Sequence, residues 1–163
     1  MLEAKERRSL AVAVAVIIGF VEPAVAQTPA VEVSGGYQAP YDNSIEKWFP
    51  AGWRLDVAAN VNETWAVLAD VGHASRSEGL LDVEVGLYTF GGGVRWSRRT
   101  VSRLVPFAQF LAGAALMRSR ADVAGGTLTV WQTKWMVQGG GGVNFLIGKG
   151  WGIVGEADFR RIL

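Results

Sequence analysis

The chain contains no cysteine, a single histidine and five prolines, and its 163 residues carry almost no charge imbalance, 16 Lys and Arg against 15 Asp and Glu. Without cysteine there is no disulfide framework, no thiolate zinc site and no cysteine nucleophile. One histidine, His73, with scattered carboxylates supplies no first-row metal ligand set, and YDNSIE at 41–46 is too sparse for a calcium loop. A formal charge of +1, with no Lys/Arg block longer than a pair, gives no field to draw a polyanion, so nucleic acid is not an expected partner. The glycine run at 139–142 lacks the Lys-Ser/Thr ending of a phosphate loop. No cofactor, metal or small-molecule substrate is implied.

Long hydrophobic runs are also missing, except at the start. Lys5, Arg7 and Arg8 precede an apolar run at 10–21, and Ala24-Val25-Ala26 forms a small-x-small site before Gln27. This predicts a signal peptide over 1–26, cleaved between Ala26 and Gln27. As a helix the run rises about 18 Å, short of the roughly 30 Å of hydrocarbon that an anchor must cross. The remaining residues, 27–163, make one domain. They hold all seven tryptophans and all but one of the 21 glycines. So much glycine argues against helix, where each costs about 1 kcal/mol relative to Ala.

Period-two alternation dominates this domain and predicts strands at 31–37, 52–60, 64–73, 82–96, 105–117, 131–145 and 151–162. Each face keeps one character. Trp53, Leu55, Val57 and Ala59 oppose Arg54, Asp56, Ala58 and Asn60; Trp65, Val67, Ala69 and Val71 oppose Leu68, Asp70 and Gly72. Trp135, Val137, Val143 and Phe145 oppose Gln132, Lys134, Gln138 and Asn144, and Trp151, Ile153, Ala157 and Phe159 oppose Glu156, Asp158 and Arg160. The fourth strand sets Tyr88, Phe90, Val94 and Trp96 against Thr89, Gly91, Gly93 and Arg95.

Such faces suit either a soluble sandwich with the apolar side in, or a membrane barrel with the apolar side out. Three features favour the barrel. Connections alternate long and short, with 38–51 and 118–130 as the long outer loops and the shorter links on the other side. Trp53, Trp65, Trp96, Trp131 and Trp151 lie near strand ends, where an indole suits the lipid–water boundary. The inward charges cancel: Arg54, Arg95, Lys134 and Arg160 balance Asp56, Asp70, Glu156 and Asp158, as a lumen too narrow for a water column requires. Arg98, Arg99, Arg103 and Lys149 then fall in short periplasmic turns where solvation suffices. The expected fold is all-β, an antiparallel up-and-down transmembrane β-barrel in the outer membrane, with lipid as its first partner.

On the hairpin GWRLDVAANVNETWAVLADVGH at 52–73, with LYTFGGGVRWS, VPFAQFLAGAA, GGGGVNF and EADFRR, the sequence resembles the OmpA/OmpX-like family of small outer-membrane β-barrels. The resemblance implies eight strands, both ends in the periplasm and no enzyme chemistry. It also implies that an aromatic-ended last strand is read by the outer-membrane assembly machinery. Only seven strands are visible, which predicts either a C-terminally truncated chain or a strand hidden within 42–49.

The expected function is non-enzymatic: an envelope barrel whose charge cluster forms a plug, with Trp48, Phe49, Arg118 and Arg120 as exposed contact candidates. A soluble periplasmic lipocalin-like barrel, binding an apolar small molecule inside, is the alternative. A third reading rests on His73 and Ser75, which with Glu78, Asp82 or Glu84 make an H-x-S pattern similar to that of outer-membrane lipid A deacylases.

Overall fold

The computed structural model describes residues 10–11, 29–42, 47–49, 51–78, 83–99, 103–123, 126–148 and 150–163. Seven strands follow one another: β1 (Val31–Tyr37), β2 (Ala51–Asn60), β3 (Trp65–Glu78), β4 (Val83–Ser97), β5 (Leu104–Val123), β6 (Gly126–Gly148) and β7 (Trp151–Ile162). Each pairs antiparallel with the next, so the described chain is an all-β meander. The sheet curls until β2 and β7, five strands apart in order, bring Arg54 against Glu156 and Asp158.

Among the described residues β1 and β7 share no ladder. The outer edge of β7 is met by Leu10 and Ala11, which pair antiparallel with Phe159 and Asp158. The rest of the predicted signal peptide, with its cleavage site, lies outside the described residues. Among the described residues of 42–49 none joins the barrel sheet; Tyr41–Asp42 and Lys47–Trp48 pair with each other.

Local chemistry sets the turns. After β2, Asn62 Oδ1 accepts from the backbone N–H groups of Thr64 (2.9 Å) and Trp65 (2.8 Å), the side chain standing in for a turn carbonyl. Between β6 and β7, Gly150 adopts φ 90°, a conformation that glycine reaches without cost.

The segment 118–130 is not a loop: β5 runs on to Val123 and β6 starts at Gly126, paired throughout from Val123 with Gly126 down to Leu104 with Phe145. The Thr-Leu-Thr-Val-Trp alternation at 127–131 sustains a ladder well beyond the roughly 9–11 residues that cross a membrane. The hairpin therefore stands above the rest of the sheet.

Glycine lets β6 and β7 approach. A Cβ on Gly140 would lie 2.5 Å from the Ala157 carbonyl oxygen, and one on Gly142 would lie 2.1 Å from that of Gly155, while a Cβ on Gly155 would meet nothing within 4 Å. Gly140→Val is therefore expected to destabilise the folded chain by about 1–3 kcal/mol, the usual range for overpacking. Gly155→Val is expected to leave it nearly unchanged. Urea unfolding midpoints in detergent micelles check the pair, and equal midpoints would contradict the packing.

Candidate functional site

Along β2, exposure alternates residue by residue: Trp53, Leu55 and Val57 are 50%, 41% and 41% exposed, whereas Arg54 and Asp56 are 4% and 2%. The same inversion runs around the sheet. Val67, Phe90, Val94, Phe110, Val143, Phe145 and Ile153 face outward, while Asp70, Arg95, Gln109, Gln138, Glu156, Asp158 and Arg160 are buried within.

Arg54 is the hub. Its Nε donates to Asp70 Oδ2 (2.7 Å) and Asp56 Oδ1 (3.0 Å), its Nη2 lies 2.8 Å from Asp56 Oδ1, and its Nη1 donates to Asp158 Oδ2 (2.8 Å) and to Glu156 Oε1. Asp56 and Asp70 are register partners on β2 and β3, an unfavourable like-charge pair that Arg54 bridges. Arg54's own cross-strand neighbours are Gly36 and Gly72, which leave its side chain room to turn. Asp70 likewise faces Gly91, Glu156 faces Gly142 and Asp158 faces Gly140. The inward glycines are the space into which the charged side chains fold.

Neutral residues, which charge counting overlooked, complete the cluster. Gln109 Nε2 donates to Glu156, and its Oε1 accepts from Arg95 Nε (3.0 Å) and Nη2 (2.8 Å). Gln138 Nε2 donates to Asp158 (2.8 Å) and its Oε1 accepts from Arg160 Nε (2.7 Å). Ser34 Oγ donates to Asp56 at 3.4 Å, and the Arg95 guanidinium lies 4.7 Å above the Phe107 ring. All seven strands thus supply a member. The signal that could have found Gln109 was its place on the inward parity of β5.

Of the eight expected interior charges, seven are buried in this cluster. Lys134 is not: it shares the inward parity of β6, but sits on the raised hairpin and is exposed. Three guanidiniums therefore face four carboxyls. Trp65, Trp96 and Trp151 lie at the short-turn ends of their strands, and Trp53 near the opposite end of β2. Trp131 lies inside β6, because that strand starts earlier than expected.

Side chains bond across strands near both ends of the lumen. Gln38, 3% exposed, donates from Nε2 to the carbonyls of Trp53 (3.0 Å) and His73 (3.2 Å), in the space left by Gly52 and Gly72. Phe49 is 3% exposed, so it is a buried residue and not a contact candidate; the side chain of Trp48 lies outside the described residues. At the short-turn end Arg99, expected to be merely solvated, binds Glu32 and Asn60 Oδ1 (3.2 Å), and Asn60 Nδ2 donates to Glu32 (2.8 Å). Lys149 lies outside the described residues. His73 and Ser75 share the outer face, where the His73 ring lies 4.4 Å from Tyr88 and 6.3 Å from Trp53. Of the acids considered with them, Glu84 is exposed on β4, and Asp82 and the side chain of Glu78 lie outside the described residues.

No protein-family model matches the chain, and no curated protein matches it. Two solved structures are similar to it, both of Ail, the attachment invasion locus protein of Yersinia pestis. One is 13% identical, covers 92% of this chain and 99% of that one, and has a TM-score of 0.47. The other, Ail in complex with the heparin analogue sucrose octasulfate, is 16% identical, covers 94% and 97%, and has a TM-score of 0.48.

Removing the hub takes away the guanidinium that contacts all four carboxyls directly. Arg54→Met is expected to cost about 3–5 kcal/mol, the range for stripping one partner from a buried ion pair. Adding Asp56→Asn and Glu156→Gln to Arg54→Met should recover much of the loss, because the stranded charges go with it. Unfolding curves of the wild type, the single variant and the triple variant decide the matter; a triple variant no more stable than the single would show that Arg54 acts by packing alone.

Proposed function

We propose that this chain is a small, non-enzymatic outer-membrane β-barrel, exported by its leader, that anchors in lipid and raises the β5–β6 hairpin on the outer side. The inverted facing carries this reading: large apolar side chains form the outside of the sheet, and ionised groups the inside. In water an apolar surface of this extent is an aggregation liability. In a bilayer it is the lipid contact, and the meander pairs the backbone polar groups of each strand with those of its neighbours. Outer-membrane lipid is then the principal partner, and the assembly machinery of that membrane inserts the chain.

The facing counts against the soluble lipocalin-like alternative, whose cavity needs Leu, Val and Phe inside. The buried cluster counts against a pore, since Arg54 and its carboxyls occupy the lumen that ions would cross. Catalysis has no support in the lumen, where the buried groups are bound to one another.

Membranes from cells expressing the full chain are expected to retain it through a urea wash, and the unboiled protein to migrate faster than the boiled one on a gel. A chain released by urea would remove the membrane reading. In planar bilayers the purified protein is expected to give no steady openings, and regular single-channel steps would overturn the plug while leaving the barrel intact.

A further inference from the structure

β1 and β7 are the first and last strands of an antiparallel meander of seven, so they run in the same direction and could meet only as a parallel pair. Among the described residues no ladder joins them. An open strand edge presents a row of N–H and C=O groups that lipid cannot pair. One further strand, antiparallel to both, would cover the two edges at once. Leu10 and Ala11 already stand in that position. They pair antiparallel with Phe159 and Asp158 of β7, and they lie beside Tyr41–Asp42 in the connection that leaves β1.

The sequence that follows is in phase with this register. Residues 10–16 read Leu-Ala-Val-Ala-Val-Ala-Val. Carried on from Leu10 with Phe159, the ladder sets Val12, Val14 and Val16 opposite Ala157, Gly155 and Ile153, and Ala13 and Ala15 opposite Glu156 and Val154. Phe159 and Ile153 are exposed, whereas Asp158, Glu156 and Val154 are buried. Each valine therefore falls on the apolar outer face and each alanine on the lumen face. Small inward residues are what β7 has on its other side, where Asp158 faces Gly140 and Glu156 faces Gly142. On the outer face a Cβ on Gly155 would meet nothing within 4 Å, an open place that Val14 would cover. An export leader needs only an apolar run; a period of two in step with β7 is a further property, and it belongs to a strand.

We propose that the edge of β7 is the docking site for this chain's own residues 10–16, which lie along it as an eighth strand between β7 and β1. The apolar run that exports the chain then stays as part of the barrel wall, and 17–30 lead from it into β1. This requires the Ala26–Gln27 bond to remain uncut, against the cleavage expected from the small-x-small site alone. The proposal rests on the membrane reading above, because only lipid makes an uncovered edge so costly.

The test has two parts, both on the full chain in urea-washed membranes. The intact mass of the wild type, which needs no substitution, is expected to include residues 10–26. Because the sequence has no cysteine, engineered pairs then report the register without background. Val14→Cys with Gly155→Cys is expected to form a disulfide within one chain under a membrane-permeant copper oxidant. Ala13→Cys with Gly155→Cys should cross-link about tenfold less, since a step of one residue turns the side chain to the other face. A membrane-retained wild type that begins at Gln27 overturns this proposal and leaves the membrane reading standing. So does a membrane-retained full chain in which the two pairs cross-link equally or neither does. Disulfides between two chains would make a second copy the occupant of the edge and overturn the assignment to 10–16, and a chain that urea strips from the membrane overturns both this strand and the membrane reading.

Discussion

A single guanidinium sets the geometry of this protein. Arg54 binds carboxyls from β2, β3 and β7, so the sheet cannot uncurl without separating it from Glu156 and Asp158. Buried ion pairs contribute little net stability, because desolvation roughly offsets attraction. What they enforce here is register. A slip of one residue turns every side chain to the opposite face; on β2 it would send Arg54 and Asp56 outward and draw Leu55 and Val57 into the lumen. The cost of separating those charges from their partners disfavours that register.

The lumen is correspondingly poor as a hydrophobic core. Among the described residues its buried apolar side chains form only three small clusters: Ala58, Ala66, Leu68 and Leu111; Leu87, Ala115 and Met136; Phe107 with Val154. Burial of this size cannot offset the conformational entropy of ordering seven strands. The larger apolar surface is on the outside, so the term that favours the folded state depends on what covers that surface. A barrel with its charge inside and its tryptophans outside has its driving force in the surrounding phase.

Much of this was legible in the sequence because period two is a local property. All seven strands overlap the segments that alternation marked, though β3, β5 and β6 run well beyond them, and Arg54, Asp56, Asp70, Arg95, Glu156, Asp158 and Arg160 are buried on the parity expected to face inward. What alternation does not encode is height along the barrel. Lys134 has the right parity, yet is exposed on the raised β5–β6 hairpin, because Thr-Leu-Thr-Val-Trp alternates just as the segments packed around the cluster do. Long-range partners were equally invisible: Arg99 and Glu32 meet only because the sheet curls, and Gln38 and Phe49 are buried by a connection whose path has no period. Glycine abundance was visible in the sequence, but its purpose appears only in the register, where glycines stand opposite Arg54, Asp70, Glu156 and Asp158.

The two ends of the barrel solve different problems. At the short turns, β1, β2 and the segment after β4 are tied by Glu32, Asn60 and Arg99, a hydrogen-bonded cluster that bonds across strands with few residues. At the far end the cross-strand bonds come from Gln38, a neutral side chain bonded to two carbonyls. The strands beyond it are released from lumen packing. There β5 and β6 carry side chains on both faces without meeting the cluster inside, and there Arg118 reaches the outer face over the Trp131 ring. The charge cluster that fills the centre of the barrel therefore leaves the β5–β6 hairpin, beyond Gln38, as the part of the sheet whose side chains do not have to pack against it.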